Sequence, residues 1–148
     1  MRRLLVALIV LAVLGGAVFW LVTQPATVAA SALAAYTPNL ENGKTIFYAG
    51  GCASCHATPG QEDKTRLGGG VELKSPYGSF FAPNISSDPK DGIGGWTDQQ
   101  IKDALTKGVR PDGSQLASPM PWRYLASLRD EDVDAIVAYL RTLKPIAD

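Results

Sequence analysis

Cys52-Ala53-Ser54-Cys55-His56 is the stretch on which the reading of this chain turns, because it holds both of its cysteines and its sole histidine. C-x-x-C-H is the pattern by which haem is attached covalently to a polypeptide. Each thiol adds to one vinyl group, and the adjacent imidazole is delivered to the iron as proximal ligand. Three other readings compete. A structural zinc site needs four ligands, and two cysteines with one histidine supply three. A thioredoxin-like redox pair would sit in a βαβ pattern, and none is visible around these residues. A plain disulfide is compatible with an exported protein but leaves the histidine unexplained. The pattern therefore implies one covalent haem c on Cys52 and Cys55, with His56 as an iron ligand.

The second axial ligand follows by elimination. No other histidine exists, and the only methionines are Met1 and Met120. Met1 lies ahead of an apolar run, which leaves Met120 in Ser118-Pro119-Met120-Pro121 as the sulfur candidate. Its flanking prolines have fixed φ and no N–H, so they stiffen the segment that would hold a weak thioether ligand. The bland alternative for Met120 is packing. A His56/Met120 pair fills both axial positions and raises the potential, which points to electron transfer and not to catalysis. The competing reading is a haem enzyme or gas-binding sensor with a displaceable sixth ligand. No distal histidine and no acid-base cluster beside the motif support it.

Leu4 to Val22 is an unbroken run of 19 residues without a charge, directly behind Arg2 and Arg3. At ~1.5 Å per residue it spans about 28 Å, close to the ~30 Å hydrocarbon core of a bilayer. The arginines should remain cytoplasmic, placing the chain beyond Val22 on the periplasmic side. Ala30-Ser31-Ala32 offers a small-x-small cleavage pattern. The run is longer than the usual signal core and lies well upstream of these small residues, which favours a retained anchor. The expected division is a signal-anchor or transmembrane helix over 1–23, a tether over 24–37 and one domain over 38–148.

Lys and Arg total 14, as do Asp and Glu. Setting Arg2 and Arg3 aside leaves 12 basic residues in the exported part, which is therefore mildly acidic. No basic stripe of the kind that binds nucleic acid is present. A first helix is predicted from about Asn39, as cap, to Tyr48, with Gly43 and Phe47 on one face. Residues 57–95, rich in Gly, Pro, Asn and Ser, show no helical period and are expected to form a long loop around the cofactor. Thr97-Asp98-Gln99-Gln100 is a capping box that starts a second helix, stopping at Gly108. A last helix covers about Asp130 to Leu143, with Val133, Ile136, Val137 and Leu140 as its apolar face. Arg141 and Lys144 suit its C-terminal end, and Pro145 lies beyond it.

Further stretches carry a family likeness: Ser75-Pro76-Tyr77-Gly78-Ser79-Phe80-Phe81-Ala82-Pro83-Asn84-Ile85, Gly92-Ile93-Gly94-Gly95-Trp96-Thr97-Asp98, Pro111-Asp112-Gly113 and Ser118-Pro119-Met120-Pro121-Trp122. With the haem motif and the Asp130–Arg141 helix, residues 38–145 resemble class I c-type cytochromes. More narrowly they are similar to the cytochrome subunits of membrane-bound alcohol, gluconate and nicotinate dehydrogenases. The resemblance implies an all-α small cytochrome c fold, three to four helices wrapped around the haem, behind the N-terminal transmembrane helix. It implies that Gly43 lets the first and last helices of the domain cross closely, with Phe47 near Tyr139. In similar cytochromes a proline carbonyl accepts a hydrogen bond from the proximal imidazole, and Pro83 is the candidate here. Trp96, Trp122 and Tyr124 either line the haem, bond a propionate, or pack in the core. The implied partners are redox proteins: a dehydrogenase as donor and a cytochrome or oxidase as acceptor. Two departures stand out. Multi-haem relatives carry three such domains where this chain has one, and Arg129 occupies a place where a capping Ser or Thr is common. Either Ser127 caps that helix instead or its first turn frays.

Overall fold

The computed structural model describes residues 2–23 and 37–147 in two compact units. Helix α1, Arg2–Thr23, makes up the described part of the first unit. It is long and apolar enough to cross a membrane by length and composition, properties that a signal sequence shares. The expected tether and the Ala30-Ser31-Ala32 pattern lie outside the described residues, apart from position 37.

The second unit is built on a crossing of two helices. Helix α2, Leu40–Ala49, starts where Asn39 accepts a hydrogen bond on its side chain from the Asn42 amide at 3.0 Å. That bond satisfies one of the donors a helix N-terminus leaves free. It packs against α6, Asp130–Thr142. A Cβ at Gly43 would stand 2.0 Å from the Ala135 carbonyl oxygen, so the crossing is a backbone-to-backbone contact that only glycine permits. Phe47 is fully buried beside it, with its ring centroid 5.3 Å from that of Tyr139. Asn42 Nδ2 donates to Asp132 at 2.8 Å and fixes the register of the pair.

Three further helices and a hairpin complete the unit. The haem-motif residues form α3, Cys52–His56. Helix α4, Asp98–Lys107, carries the reciprocal capping box of Thr97 and Gln100 and stops at Gly108, as its sequence predicts. It reaches α6 through Ile101, which is buried, and through Lys102, whose ammonium lies 2.6 Å from Asp134. Helix α5, Trp122–Leu125, is a single turn following Met120. The core joins Phe47, Leu67, Ile93, Ile101, Ile136, Val137, Tyr139 and Leu140.

The all-α expectation needs amending. Within the stretch expected to be a loop, β1, Glu72–Ser75, pairs antiparallel with β2, Gly78–Phe81, in register Glu72 to Phe81 through Ser75 to Gly78. Pro76-Tyr77 is a two-residue connection, and the alternating pattern of ELKS and GSFF is too short to stand out from its Gly-rich surroundings. The start of α6 also differs from expectation. Ser127 does not cap it, because its hydroxyl donates back to the Tyr124 carbonyl at 2.7 Å. Nor does the first turn fray. The Arg129 carbonyl accepts from Asp132 and Val133, and the Arg129 guanidinium grips Asp132 at 3.1 Å.

Candidate functional site

Gly51, in a left-handed conformation, turns the chain out of α2 and into α3. One helical turn then sets Cys52, Cys55 and His56 at i, i+3 and i+4, which are the positions that share a face. Both thiols are free, so the two cysteines are not spent on a disulfide. Cys52 packs against the edge of the core, and burial pushes its thiol above the usual range. Cys55 has the Ser54 hydroxyl 3.7 Å from its sulfur.

The imidazole of His56 is oriented from outside its own helix. Its Nδ1 lies 2.8 Å from the carbonyl oxygen of Pro83, 27 residues further on. A carbonyl can only accept, so Nδ1 carries the proton and Nε2 presents its lone pair. Burial lowers the pKa of His56, and the bond to Pro83 works in the opposite direction. A neutral ring with Nδ1 occupied and Nε2 unprotonated is the form that binds a metal. Two thiols and this nitrogen on one helical face fit a covalent haem with an axial imidazole.

The Pro83 carbonyl reaches the ring through the Gly68-Gly69-Gly70 run. Gly69 N–H donates to the His56 carbonyl at 2.9 Å, and Gly70 N–H to that of Ala82 at 2.9 Å. Gly69 has φ 75°, and a Cβ there would meet the Ala82 oxygen at 2.4 Å and the Pro83 oxygen at 2.7 Å. A side chain at 69 would both strain the backbone and push away the carbonyl that holds the ring.

Met120 lies on the loop between α4 and α5. Its backbone is fixed at both ends: its N–H donates to Ala117 at 3.0 Å and its carbonyl accepts from Trp122 at 2.9 Å. It is half-buried and does not belong to the hydrophobic core or to the residues packed on it. Trp122 anchors the loop on α4, since a Cβ at Gly108 would come within 2.5 Å of the indole nitrogen. The structure thus brings Cys52, Cys55, His56 and Pro83 together and leaves Met120 on a separate, braced loop. Trp96 packs against the core, whereas Tyr124 is 81% exposed.

Two contributors escape a reading of the sequence. Arg141 stands there only as a helix-end charge, yet its guanidinium donates to the carbonyls of Ile93, Gly94 and Trp96 and to Asp98. It holds the whole 93–98 connection against α6. Asn84 stands there only as one residue of a longer motif, yet it is buried and bonded at both ends of its amide. An Asn directly after a Pro inside an apolar stretch is a weak signal that could have marked it.

Comparison with known proteins gives a consistent family. The cytochrome c family model matches residues 40–144. A diheme cytochrome c-type protein of Cereibacter sphaeroides is 40% identical over 147 residues, 98% of this chain and 50% of that one. The fructose dehydrogenase cytochrome subunit of Gluconobacter japonicus is 38% identical over 113 residues, 76% of this chain and 23% of the relative. The cytochrome c subunit of the quinone-type alcohol dehydrogenase of Gluconobacter oxydans is 36% identical over 110 residues, 73% of this chain and 22% of the relative. The chain spans half or less of the length of each of these relatives.

Proposed function

The chain belongs to the cytochrome c family, with one Cys52/Cys55 pair for one covalent haem c, and from that premise we propose that it is a membrane-anchored electron carrier. The single observation that carries this reading is the 2.8 Å bond from His56 Nδ1 to the Pro83 carbonyl, which leaves Nε2 as a fixed ligand beside two free thiols. Bound there, haem c supplies a one-electron iron couple. Cys52 and Cys55 would hold its edge, His56 would be the proximal ligand with Pro83 setting its orientation, and Met120 would be the distal ligand. With His56 and Met120 both holding the iron, no position would remain for a substrate, and the protein would move electrons without doing further chemistry.

The partner is a dehydrogenase on the periplasmic side as donor, and a cytochrome or oxidase of the respiratory chain as acceptor. Support comes from relatives that are cytochrome subunits of fructose, alcohol and gluconate dehydrogenases. Residues 1–23 would be a retained anchor, 24–37 a tether and 38–148 the haem domain. Tethering confines the search for membrane-bound partners and raises effective concentration.

The test is the visible spectrum of the reduced, haem-loaded protein with and without carbon monoxide. A low-spin c-type spectrum unmoved by the gas is expected. A spectrum shifted by the gas would mean a displaceable sixth ligand and would overturn the pure carrier reading. Extraction of membranes with alkaline carbonate tests the anchor, which requires the haem band to stay in the pellet.

A further inference from the structure

His56 takes its orientation from the Pro83 carbonyl, so whatever fixes that carbonyl also acts on the imidazole. Backbone bonds hold the positions on either side. Ala82 N–H donates to Val71 at 3.0 Å, and Ile85 N–H to Leu67 at 3.0 Å. Between them the chain is held by side chains. Asn84 is buried; its Nδ2 donates to the Ile146 carbonyl at 2.7 Å and its Oδ1 accepts from the Ser86 amide at 2.9 Å. Ser86, fully buried, accepts on Oγ from the Ile146 amide at 3.0 Å. The Ser87 hydroxyl donates to the Leu143 carbonyl. The segment Leu143–Ile146, which follows α6, is thereby strapped across the loop that bears Pro83.

We propose that Asn84 and Ser86 are positioning residues for the proximal histidine: by clamping the loop after Pro83 to the Leu143–Ile146 segment, they keep the Pro83 carbonyl on Nδ1 and so set the iron's reduction potential. The inference rests on the reading of His56 as iron ligand. A carbonyl that accepts from Nδ1–H makes the ring a stronger donor, which favours ferric iron. Loosening the clamp weakens that bond and favours the ferrous state. Burying an amide and a hydroxyl is costly unless they are bonded, and both ends of the Asn84 amide are bonded. The strap also links the potential to a part of the chain far from the haem motif in sequence.

Asn84→Ala and Ser86→Ala, made in the full haem-loaded chain, test this by potentiometric titration and by exchange of the imidazole Nδ1–H. At a fixed ambient potential the ferrous-to-ferric ratio is expected to rise about fivefold, ~40 mV at 59 mV per decade for one electron. Exchange of Nδ1–H is expected to quicken about tenfold. Val133→Ala, a buried change in the first turn of α6 and away from the strap, should leave both readings unchanged. Ser87→Ala breaks the half-buried end of the strap and carries the test if the two buried variants do not mature. An unchanged potential and exchange rate in folded strap variants would overturn the proposal, as would an equal shift in Val133→Ala. If replacing His56 left the low-spin spectrum of the parent intact, the ligand reading itself would fail instead.

Discussion

The two sides of the haem domain hold themselves together differently. Where α2 crosses α6, the contact is closed and rests on backbone: Phe47 and Ala135 are inaccessible to solvent, and Gly43 touches a backbone carbonyl. Along the hairpin and the loop to α5, apolar residues are large but are not collected into the core. Tyr77 is 93% exposed and Phe81 65%, and Leu116, Met120, Trp122 and Leu125 are half-buried outside the core cluster. What organises this second side is hydrogen bonding to backbone: the Arg141 grip on 93–98, the strap on 84–87 and the Gly69 approach to Pro83. The first side is a packed core, and the second is a set of braced loops that carry Pro83 and Met120.

Removing the covalent bonds should separate the two sides most sharply. Cys52→Ala with Cys55→Ala leaves His56 and Met120 in place but gives the haem nothing to react with. Covalent haem stain on a denaturing gel should vanish completely, and backbone amides of the loop to α5 should exchange faster while those of α2 and α6 stay protected. Persistent covalent haem in the double variant would remove the thioether reading.

Next in size is an attack on the packed crossing of α2 and α6. Gly43→Ala drives a methyl into the Ala135 carbonyl, which cannot swing aside without moving α6. Overpacking of this kind costs about 3 kcal/mol. Denaturant melts should show that loss, while the haem spectrum of the folded fraction stays as it was. A spectrum altered in proportion to stability would mean that the two sides are not separable.

The same contrast explains what could be read from the sequence. The three long helices were legible because each has a periodic apolar face and a local stop or start: Asn39, the Thr97–Gln100 box, Gly108 and Pro145. The haem motif was legible because covalent attachment needs a fixed local spacing. The hairpin was hidden by its length, four residues a strand, and α5 by having a single turn after a proline. Asn84, Gly69 and Arg141 were hidden for another reason. Their roles lie in bonds to backbone groups 45 to 62 residues away, or, for Gly69, in a close pass by residues 82 and 83, and no local pattern encodes such a partner. Pro83 was reached only through family likeness.

A smaller effect on stability, with a large one on the site, is expected from Met120→Ala. The side chain is half-buried and lies outside the core, so the melt should fall by roughly 1 kcal/mol, less than the ~2–5 kcal/mol for truncating a buried methionine. The iron should gain an open position: carbon monoxide should then shift the reduced spectrum, and the potential should drop, since a thioether ligand raises it. A spectrum still unmoved by the gas in this variant would show that another group ligates the iron.

The weakest effect should come from the polar seam of the α2/α6 crossing. The guanidinium of Arg129 and the amide of Asn42 hold the Asp132 carboxyl below the usual carboxylate range. In the unfolded chain that carboxyl returns to an ordinary value near ~3.9. The folded state therefore binds its proton less readily than the unfolded one, and the stabilisation is present in full above the ordinary value. It is lost as pH falls through the lower, folded value. Asp132→Asn should flatten the acid limb of stability against pH below about pH 4 while leaving the haem spectrum unchanged, and added salt should flatten the parent's limb in part because Arg129 is largely exposed. Identical acid limbs in parent and variant would show that Asp132 holds α2 and α6 in register through shape and hydrogen bonding alone, without its charge.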